Sequence, residues 1–560
     1  MTDTIVGIDL GTTNSLVAVV QAGRPRVLSV DGAALLPSVV GLDEQGQRLI
    51  GQAARNQYVA APERTVRSIK RQIGKPDYRA ALGEATFTAE EISSWILRRL
   101  AEAAASELGE DIRRAVITIP AYFSDRQRQA TMRAGELAGL EVVRLLHEPT
   151  AAALVYGLNR EGAETALVYD LGGGTFDVSV VELDTGITEV RASHGNRELG
   201  GDDFDALLVD ALLRQFQEQH GVDLRGDRLA MARVVRAAEA AKIRLSDHPY
   251  AEVREEFLAT KGGKALHLEA ELSREGFEEM IEPLLAGTLE SVRRALKESG
   301  VDARALDEVL LVGGSTRIPR VRELVAEELG CDPRQELDPD LAVALGAAVQ
   351  AAVISGAGVD AVLVDVCPHS LGIRARGLRG GQEDYDMFVP IIPRNTAIPV
   401  SRSERFYSAH PDADTVKVEV FQGEAQAASR NTPLGEMMFH KLSPDPDGGS
   451  REVLVAFDYD INGILHVAAI DRRNGKREEM HLHTAALAEV AAAGSALPPE
   501  AAALLGKLRT LQGRLEGSPA TGALDLIAQA EAFGTDVGSE ALTSWQEAAS
   551  GFLFEHSPEY

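Results

Sequence analysis

The sequence predicts a multidomain chain: a duplicated α/β domain, then an antiparallel β-sandwich, then a short α-helical segment. Three observations predict it. Two strand–turn–strand stretches, each turning at Asp-Leu-Gly, lie far apart at 5–20 and 168–180. From Val366 to about His483 the apolar period becomes two. Beyond that the chain is helical and Ala-rich. The 560 residues carry 57 basic and 85 acidic side chains, a net charge of −28. Such a length suits about three to four domains. The acidic balance argues against a nucleic-acid groove or an anionic membrane surface as partner. Cys331 and Cys367 lie far apart without metal-ligand spacing, which points to a reducing compartment. The N-terminus lacks the basic and apolar regions of a signal peptide. The apolar run Leu341 to Val359 is mostly Ala and Gly and contains Gln350 and Ser355, so it reads as a buried helix, not a membrane span.

In chain order, Ile5 to Val20 reads strand, Asp9-Leu10-Gly11-Thr12-Thr13 turn, strand. Lys70 lies in a helix-like run ended by Gly74 and Pro76, where a lysine is by default solvated. Thr88, with Glu91 three residues on, starts a helix running to Leu108. Ala115 to Ile119 is a buried strand ending at Pro120, followed by a helix from Asp125 to about Leu140. Val142 to Leu146 is another strand, and Glu148-Pro149-Thr150 leads into a helix at Ala151. Glu148 thus stands at a strand's C-terminal end, where ligands of open α/β sheets gather, though a helix-start carboxylate is equally well favoured by the helix dipole. His147 beside it has no ligand-spaced partner and reads as structural.

The second hairpin, Asp170-Leu171-Gly172-Gly173-Gly174-Thr175-Phe176-Asp177, has three bare glycines whose N–H groups can face an anion. The flanking acids make sense beside a phosphate if a hydrated divalent cation lies between. Two such hairpins suggest a nucleotide clamped between duplicated halves, and no P-loop signature occurs. Gly200-Gly201 opens a long helix, a natural anion site. Glu239, Lys242 and Ser246 share one helical face that could meet a ribose and base; an i, i+3 salt bridge explains the first two equally well. Gly313-Gly314-Ser315 repeats the strand–glycine–helix pattern, with Arg317 able to lie against an adenine ring and Asp340 before the apolar helix. Ser355 to Gly358 marks a boundary, and Val362-Leu363-Val364-Asp365 reads either as a linker adding to a sheet edge or as the next domain's first strand. In the sandwich, Asn462-Gly463 and Asn474-Gly475 predict type I′ hairpin turns. Pro498-Pro499-Glu500 begins the helical tail.

These motifs, taken in order over nearly the whole chain, resemble the seventy-kilodalton heat-shock chaperone family (DnaK type). The residues carrying the resemblance run from Gly7 through Ser15, Glu148 through Ala153 and Asn462 through Val467. Asp365-Val366-Cys367-Pro368 and the compact tail look most like its HscC branch. The resemblance implies an actin-like ATPase domain at 1–357, a linker at 358–366, a peptide-binding β-sandwich at 367–484 and a helical lid at 485–560. It implies a cytoplasmic ATP-dependent chaperone that binds unfolded or specific client polypeptides. It further implies slow ATP hydrolysis stimulated by peptide and a J-domain co-chaperone, with ATP/ADP and Mg2+ as cofactors and K+ as a candidate companion. By the family pattern Asp9 and Asp170 hold Mg2+ through water, and Glu148 and Asp177 position metal and attacking water. Lys70 reaches the γ-phosphate, and Thr175 joins the catalytic set. Gly11, Thr12, Thr13, Asn14, Gly172, Gly173 and Gly174 cradle phosphates. Gly200, Gly201, Glu239, Lys242, Ser246, Gly313, Gly314, Ser315, Arg317 and Asp340 complete the nucleotide pocket. Ile373, Met387, Phe406, Ala409, Val416 and Val418 line the peptide channel, although periodicity alone reads them as ordinary core. Pro120, Arg128 and Val362 to Asp365 form the interdomain relay.

The chain departs from the family pattern in places. The stretch between Arg71 and Thr88 is short, which leaves the exchange factor open. Arg374 to Asp386 carries extra residues where one side of the peptide arch should form. Met132 replaces a usual lysine on the relay helix. Two competing readings are a sugar-kinase-like phosphotransferase, disfavoured by Lys70, Glu148 and the attached sandwich, and a nucleotide-gated binding module with little turnover.

Overall fold

The computed structural model describes residues 4–158, 162–334, 337–359, 361–379 and 382–480, with the single positions 526, 545 and 548. Met1–Met480 forms one compact unit and His481–Tyr560 a second. The helical lid expected from residue 485 lies outside the described residues, apart from those three positions.

Two sheets share one plan. In the first, Arg114–Ile119 runs parallel to Ile5–Asp9, which turns back into Asn14–Gln21 and then Arg24–Val27. In the second, Glu308–Val312 runs parallel to Glu164–Leu171, which turns back into Phe176–Asp184 and then Ile187–Asn196. The repeated Asp-Leu-Gly motif therefore marks a repeated topology. Two apolar helices, Glu148–Gly157 and Ala342–Ser355, pack between the sheets. Their approach needs glycine. A Cβ on Gly346 would lie 1.7 Å from the Ala151 carbonyl oxygen, and one on Gly7 would lie 2.1 Å from the Ala348 nitrogen. Backbone thus touches backbone, and the two hairpin turns are drawn to one cleft. The Leu341 to Val359 run forms the helix Ala342–Ser355, buried as far as Ala352 and exposed from Ile354 on; no described helix is long and apolar enough to cross a membrane.

Local details refine the expectations. Thr88 caps Ala89–Leu108 in a full capping box with Glu91. The helix expected from Ala151 begins at Glu148, because Pro149 is well suited to a first turn. The run around Lys70 is a single 3-10 turn, Ile69–Gln72, entered through Ser68 at φ +54°. Lys70 is buried there, not solvated.

The sandwich consists of two four-stranded sheets. One orders Gln382–Ile392, Leu371–Arg379, Val416–Gln422 and Thr432–Phe439; the other orders Val400–Tyr407, Glu452–Tyr459, Leu465–Ile470 and Arg477–Met480. Every pairing is antiparallel. The turns at Asn462 and Asn474 are not type I′, since only Gly463 and Gly475 have positive φ there. Asp460 and Asp471 accept hydrogen bonds from the turn's own N–H groups. Those Asx turns start the loop right-handed and leave only its last residue for glycine. The extra residues of Arg374 to Asp386 extend the Leu371–Arg379 hairpin beyond the sheet, since only Leu371 to Ile373 pair onward with Val420 to Gln422.

Val362–Val366 extends the second α/β sheet, as one of the two readings expects, and belongs to neither sheet of the sandwich. It pairs in parallel with Ile187 to Glu189, and antiparallel with Ala397–Ile398 of the sandwich segment. One strand thereby ties the second α/β sheet to the short strand that precedes Val400–Tyr407 of the sandwich.

Candidate nucleotide site and its connection to the sandwich

Between the two α/β halves lies a cavity of about 660 Å³, a size suited to a cofactor. Its lining contains Asp9, Gly11, Thr12, Thr13, Asn14, Lys70, Glu148, Asp170, Gly172, Gly173 and Thr175 from the hairpin side. Glu239, Lys242, Ser246, Gly313, Gly314, Ser315, Arg317 and Asp340 line the other side. Residues spread over more than three hundred positions meet because both hairpins end at the same cleft.

The floor is acidic. Asp9 is pushed up to about 7 by burial and by Glu148, against the pull of Lys70 and a 2.8 Å hydrogen bond from Thr118. Asp177 is pushed up to about 8 by burial and Glu148. Asp170 is raised well above the usual carboxylate range by burial, Glu148 and Asp177. Its Oδ2 is buried with no hydrogen-bond partner. Lys70 and Glu148 form a buried ion pair. Carboxylates this crowded, with an orphaned oxygen, suit a hydrated divalent cation.

Above the floor the glycine hairpin is braced from behind. A Cβ on Gly200 would lie 2.6 Å from the Gly173 backbone. The N–H groups of Gly201 and Asp202 donate to the carbonyls of Gly172 (3.0 Å) and Gly173 (2.8 Å). Gly200 and Gly201 therefore brace the hairpin, while the Gly201 carbonyl also accepts from Lys242 Nζ at 3.1 Å and the Gly200 N–H donates to Asp203 Oδ2 at 2.8 Å. Ser315 Oγ donates to the Gly172 carbonyl at 2.9 Å, and Arg71 donates to that of Gly174 at 3.1 Å.

At the other end, the i, i+3 salt bridge between Glu239 and Lys242 is absent. Glu239 instead pairs with Arg55 (2.9 Å) and Arg67 (3.0 Å), and Lys242 with Asp205 (2.9 Å). Long-range partners win because Arg55 and Arg67 reach across the cleft from the first half. Arg317 is held by Asp338 and Asp340, which fixes its guanidinium at the cleft. Sequence reasoning missed Arg55, Arg67, Thr118 and Asp205, since nothing in their local pattern signals a partner far along the chain.

The relay residues form a second cluster. Arg128 is fully buried. Its Nη2 meets the Ala121 carbonyl at 3.2 Å and His147 Nε2 at 2.9 Å. Arginine only donates, so this nitrogen of His147 accepts. His147 Nδ1 then faces Asp365 Oδ2 at 2.9 Å. His147 is therefore the bridge between Arg128 and the linker, a role its local sequence did not reveal. Pro120 precedes the loop in which the Tyr122 N–H approaches Asp177 Oδ1 at 3.3 Å. Asn462 of the sandwich accepts from the Leu145 N–H at 3.1 Å.

The proposed peptide-channel residues are partly brought together. Ile373, Met387, Val416 and Val418 share one face of their sheet by register. Phe406 lies on the other sheet, opposite Val453, and Ala409 lies in the loop that follows. Ile373 and Val418 are buried, Ala409 is exposed, and the rest are half-buried.

The family model described as Hsp70 protein matches residues 5–81 and 75–493. The chain belongs to the Hsp70 family. This Hsp70 is 44% identical over 506 residues to the Chaperone protein DnaK 1 of Synechococcus sp., a match covering 86% of this chain and 66% of that relative. It thus spans just under two thirds of that relative's length.

Proposed function

We propose that this chain is an ATP-dependent molecular chaperone, in which ATP binding and hydrolysis between the two α/β halves gate an extended apolar peptide held by the sandwich. The observation that carries this reading is the linker strand Val362–Val366, paired with the ATP-side sheet on one edge and the sandwich segment on the other. On this reading residues 1–357 are an actin-like ATPase domain, 358–366 the linker, 367–484 the peptide-binding domain and 485–560 the lid. The site residues take the roles the family pattern assigns. Client polypeptides and a J-domain protein are the partners, the cytoplasm is the compartment, and the HscC branch is the nearest subgroup.

Phosphoryl transfer to water needs alignment and charge neutralisation more than covalent chemistry. Bound Mg2+ would supply the charge that offsets the phosphate oxygens. Asp9 and Asp170 would hold that cation through water, and Thr12, Thr13 and the three glycines of the second hairpin would hold the phosphates. Lys70, oriented by Glu148, faces the terminal phosphate and the attacking water. Glu148 and Asp177 orient that water. Glu239, Lys242, Ser246 and Arg317 hold the adenosine. For a useful switch, ATP must favour the docked linker by about 3–5 kcal/mol of differential affinity.

Divalent cation dependence follows with a definite sign. The carboxyls of Asp9 and Asp177 titrate near 7 and 8 in the fold, well above their ordinary value. Stability from these groups is therefore fully present below their unfolded value and is lost as pH rises through about 7 to 8. Added Mg2+ should raise the melting temperature most at about pH 8 and little at about pH 5. Thermal melts with equal shifts at both would sink the cation assignment.

Single-turnover ATP hydrolysis tests the whole reading, with and without an apolar peptide and a J-domain protein. Stimulation by both is the expected result. Phosphate appearing on a small acceptor, or hydrolysis indifferent to both additions, would overturn it.

A further inference from the structure

We propose that the contact between the ATPase half and the sandwich accepts His369 only as a neutral ring, so that mild acid opens it. The inference rests on the reading that linker docking is a reversible step. His369 lies just past the linker strand. Its ring meets Tyr122 of the ATPase half edge-on, with centroids 4.3 Å apart and an interplanar angle of 72°. Nε2 lies 3.4 Å from the Tyr122 carbonyl oxygen, so this nitrogen carries the ring's proton and donates.

The charges around the ring are mostly positive. Arg128 projects from the helix Asp125–Ala138, Arg197 from the turn after Ile187–Asn196, and Arg394 from the sandwich side. Arg394 crosses the same contact, donating to the Tyr122 hydroxyl (3.2 Å) and the Ser193 carbonyl (3.1 Å). The nearby carboxylates are already engaged. Glu298 pairs with Arg394, Glu424 accepts from Ser370, and Asp365 pairs with His147. Asp177 faces the Tyr122 N–H. Among the described residues none of these forms an ion pair with His369. Cys367 Sγ lies 3.0 Å from the His369 carbonyl oxygen, and burial pushes its thiol up to about 12. The Tyr122 phenol is also pushed up to about 12 by burial, so neither supplies a compensating anion.

Burial pushes the His369 ring down to about 3; the Tyr122 carbonyl opposes this, and the three guanidiniums add to it. Once the sandwich leaves, the ring returns to water and to about 6.5. The sign follows from linkage. A base depressed in the docked state leaves docking untouched above about 6.5 and weakens it about tenfold per pH unit below. Two other histidines face the contact. His194 is pushed down to about 4 by burial and by Arg394 and Arg294, with Glu290 opposing. It would add to the loss. His147 lies between Asp365 and Arg128, each at 2.9 Å.

The test uses the full chain saturated with ATP, with bound nucleotide monitored. Hydrogen exchange of the Val362–Val366 amides, corrected for intrinsic rate, reports docking. Between pH 7.5 and 5.5 the docking constant should fall about tenfold through His369. His369→Gln keeps a donor for the Tyr122 carbonyl but cannot titrate. It should dock normally at the higher pH and lose that tenfold. A wild-type linker equally protected at both pH values would overturn the inference. So would an undiminished loss in His369→Gln, which assigns the effect to His194 or the nucleotide site. The ring's own titration, followed by NMR of labelled histidine, gives an independent arm. A value near 6.5 while the linker stays protected refutes the inference, whatever the nucleotide does. Linker protection at pH 7.5 identical with ATP and ADP would instead refute the chaperone switch.

Discussion

Lys70→Ala is expected to lower single-turnover ATP hydrolysis by about 10²–10³-fold while nucleotide affinity changes little. The reason is position. Ser68, in the left-handed region, turns the chain so that Ile69–Gln72 buries Lys70 against Glu148 instead of presenting it to water. Lys70 is also the cation that pulls on Asp9, Asp170 and Asp177. Removing it takes away the protein's own positive charge where negative charge would develop on a transferring phosphoryl group. On the proposed reading the adenosine is held by Glu239, Lys242 and Arg317, which line the cavity and which the substitution does not touch. Quenched-flow hydrolysis and fluorescent-nucleotide titration separate the two effects. Undiminished hydrolysis would refute the assignment of Lys70. A parallel loss of binding would show the lysine to be a plain phosphate anchor.

Asp365→Asn is expected to uncouple the two halves, weakening docking by about 3–5 kcal/mol as one partner of a buried pair is removed. Asp365 is buried, yet its carboxyl is held below the usual range. Burial opposes that shift, and His147 followed by the Val366 N–H and Arg144 overcome it. Without the carboxylate, Arg128 and Arg144 remain buried beside a neutral amide. Basal hydrolysis should stay close to wild type, because the cleft residues are unaltered. Peptide stimulation and ATP-driven peptide release should be lost. Linker proteolysis and peptide off-rates with and without ATP check this. Release that remains ATP-driven would show that Asp365 does not carry the coupling.

The repeated hairpins show how far local pattern reaches. Asp9 to Thr13 and Asp170 to Thr175 could be paired by eye, because glycine turns between apolar strands are short-range events. The capping box at Thr88 and the buried helix from Ala342 were legible for the same reason. The turns at Gly463 and Gly475 were misread, since an aspartate three or four residues earlier set the loop's hand. For Glu239 the local alternative of a bridge to Lys242 gives way to ion pairs with Arg55 and Arg67. Its neighbours in sequence were visible, and Arg55 and Arg67 were not.

His147 and Lys70 mark the boundary most clearly. Sequence alone determined the duplicated α/β architecture, the antiparallel sandwich, and the glycine, hydroxyl and carboxylate residue types that line the cleft, because periodicity and turn chemistry act over a few residues. Only the tertiary structure decided that Lys70 is buried against Glu148, and that His147 bridges Arg128 to Asp365. It also decided that Val362–Val366 joins both halves. Burial and ion pairing depend on which distant segments close over a side chain, and no local window contains them.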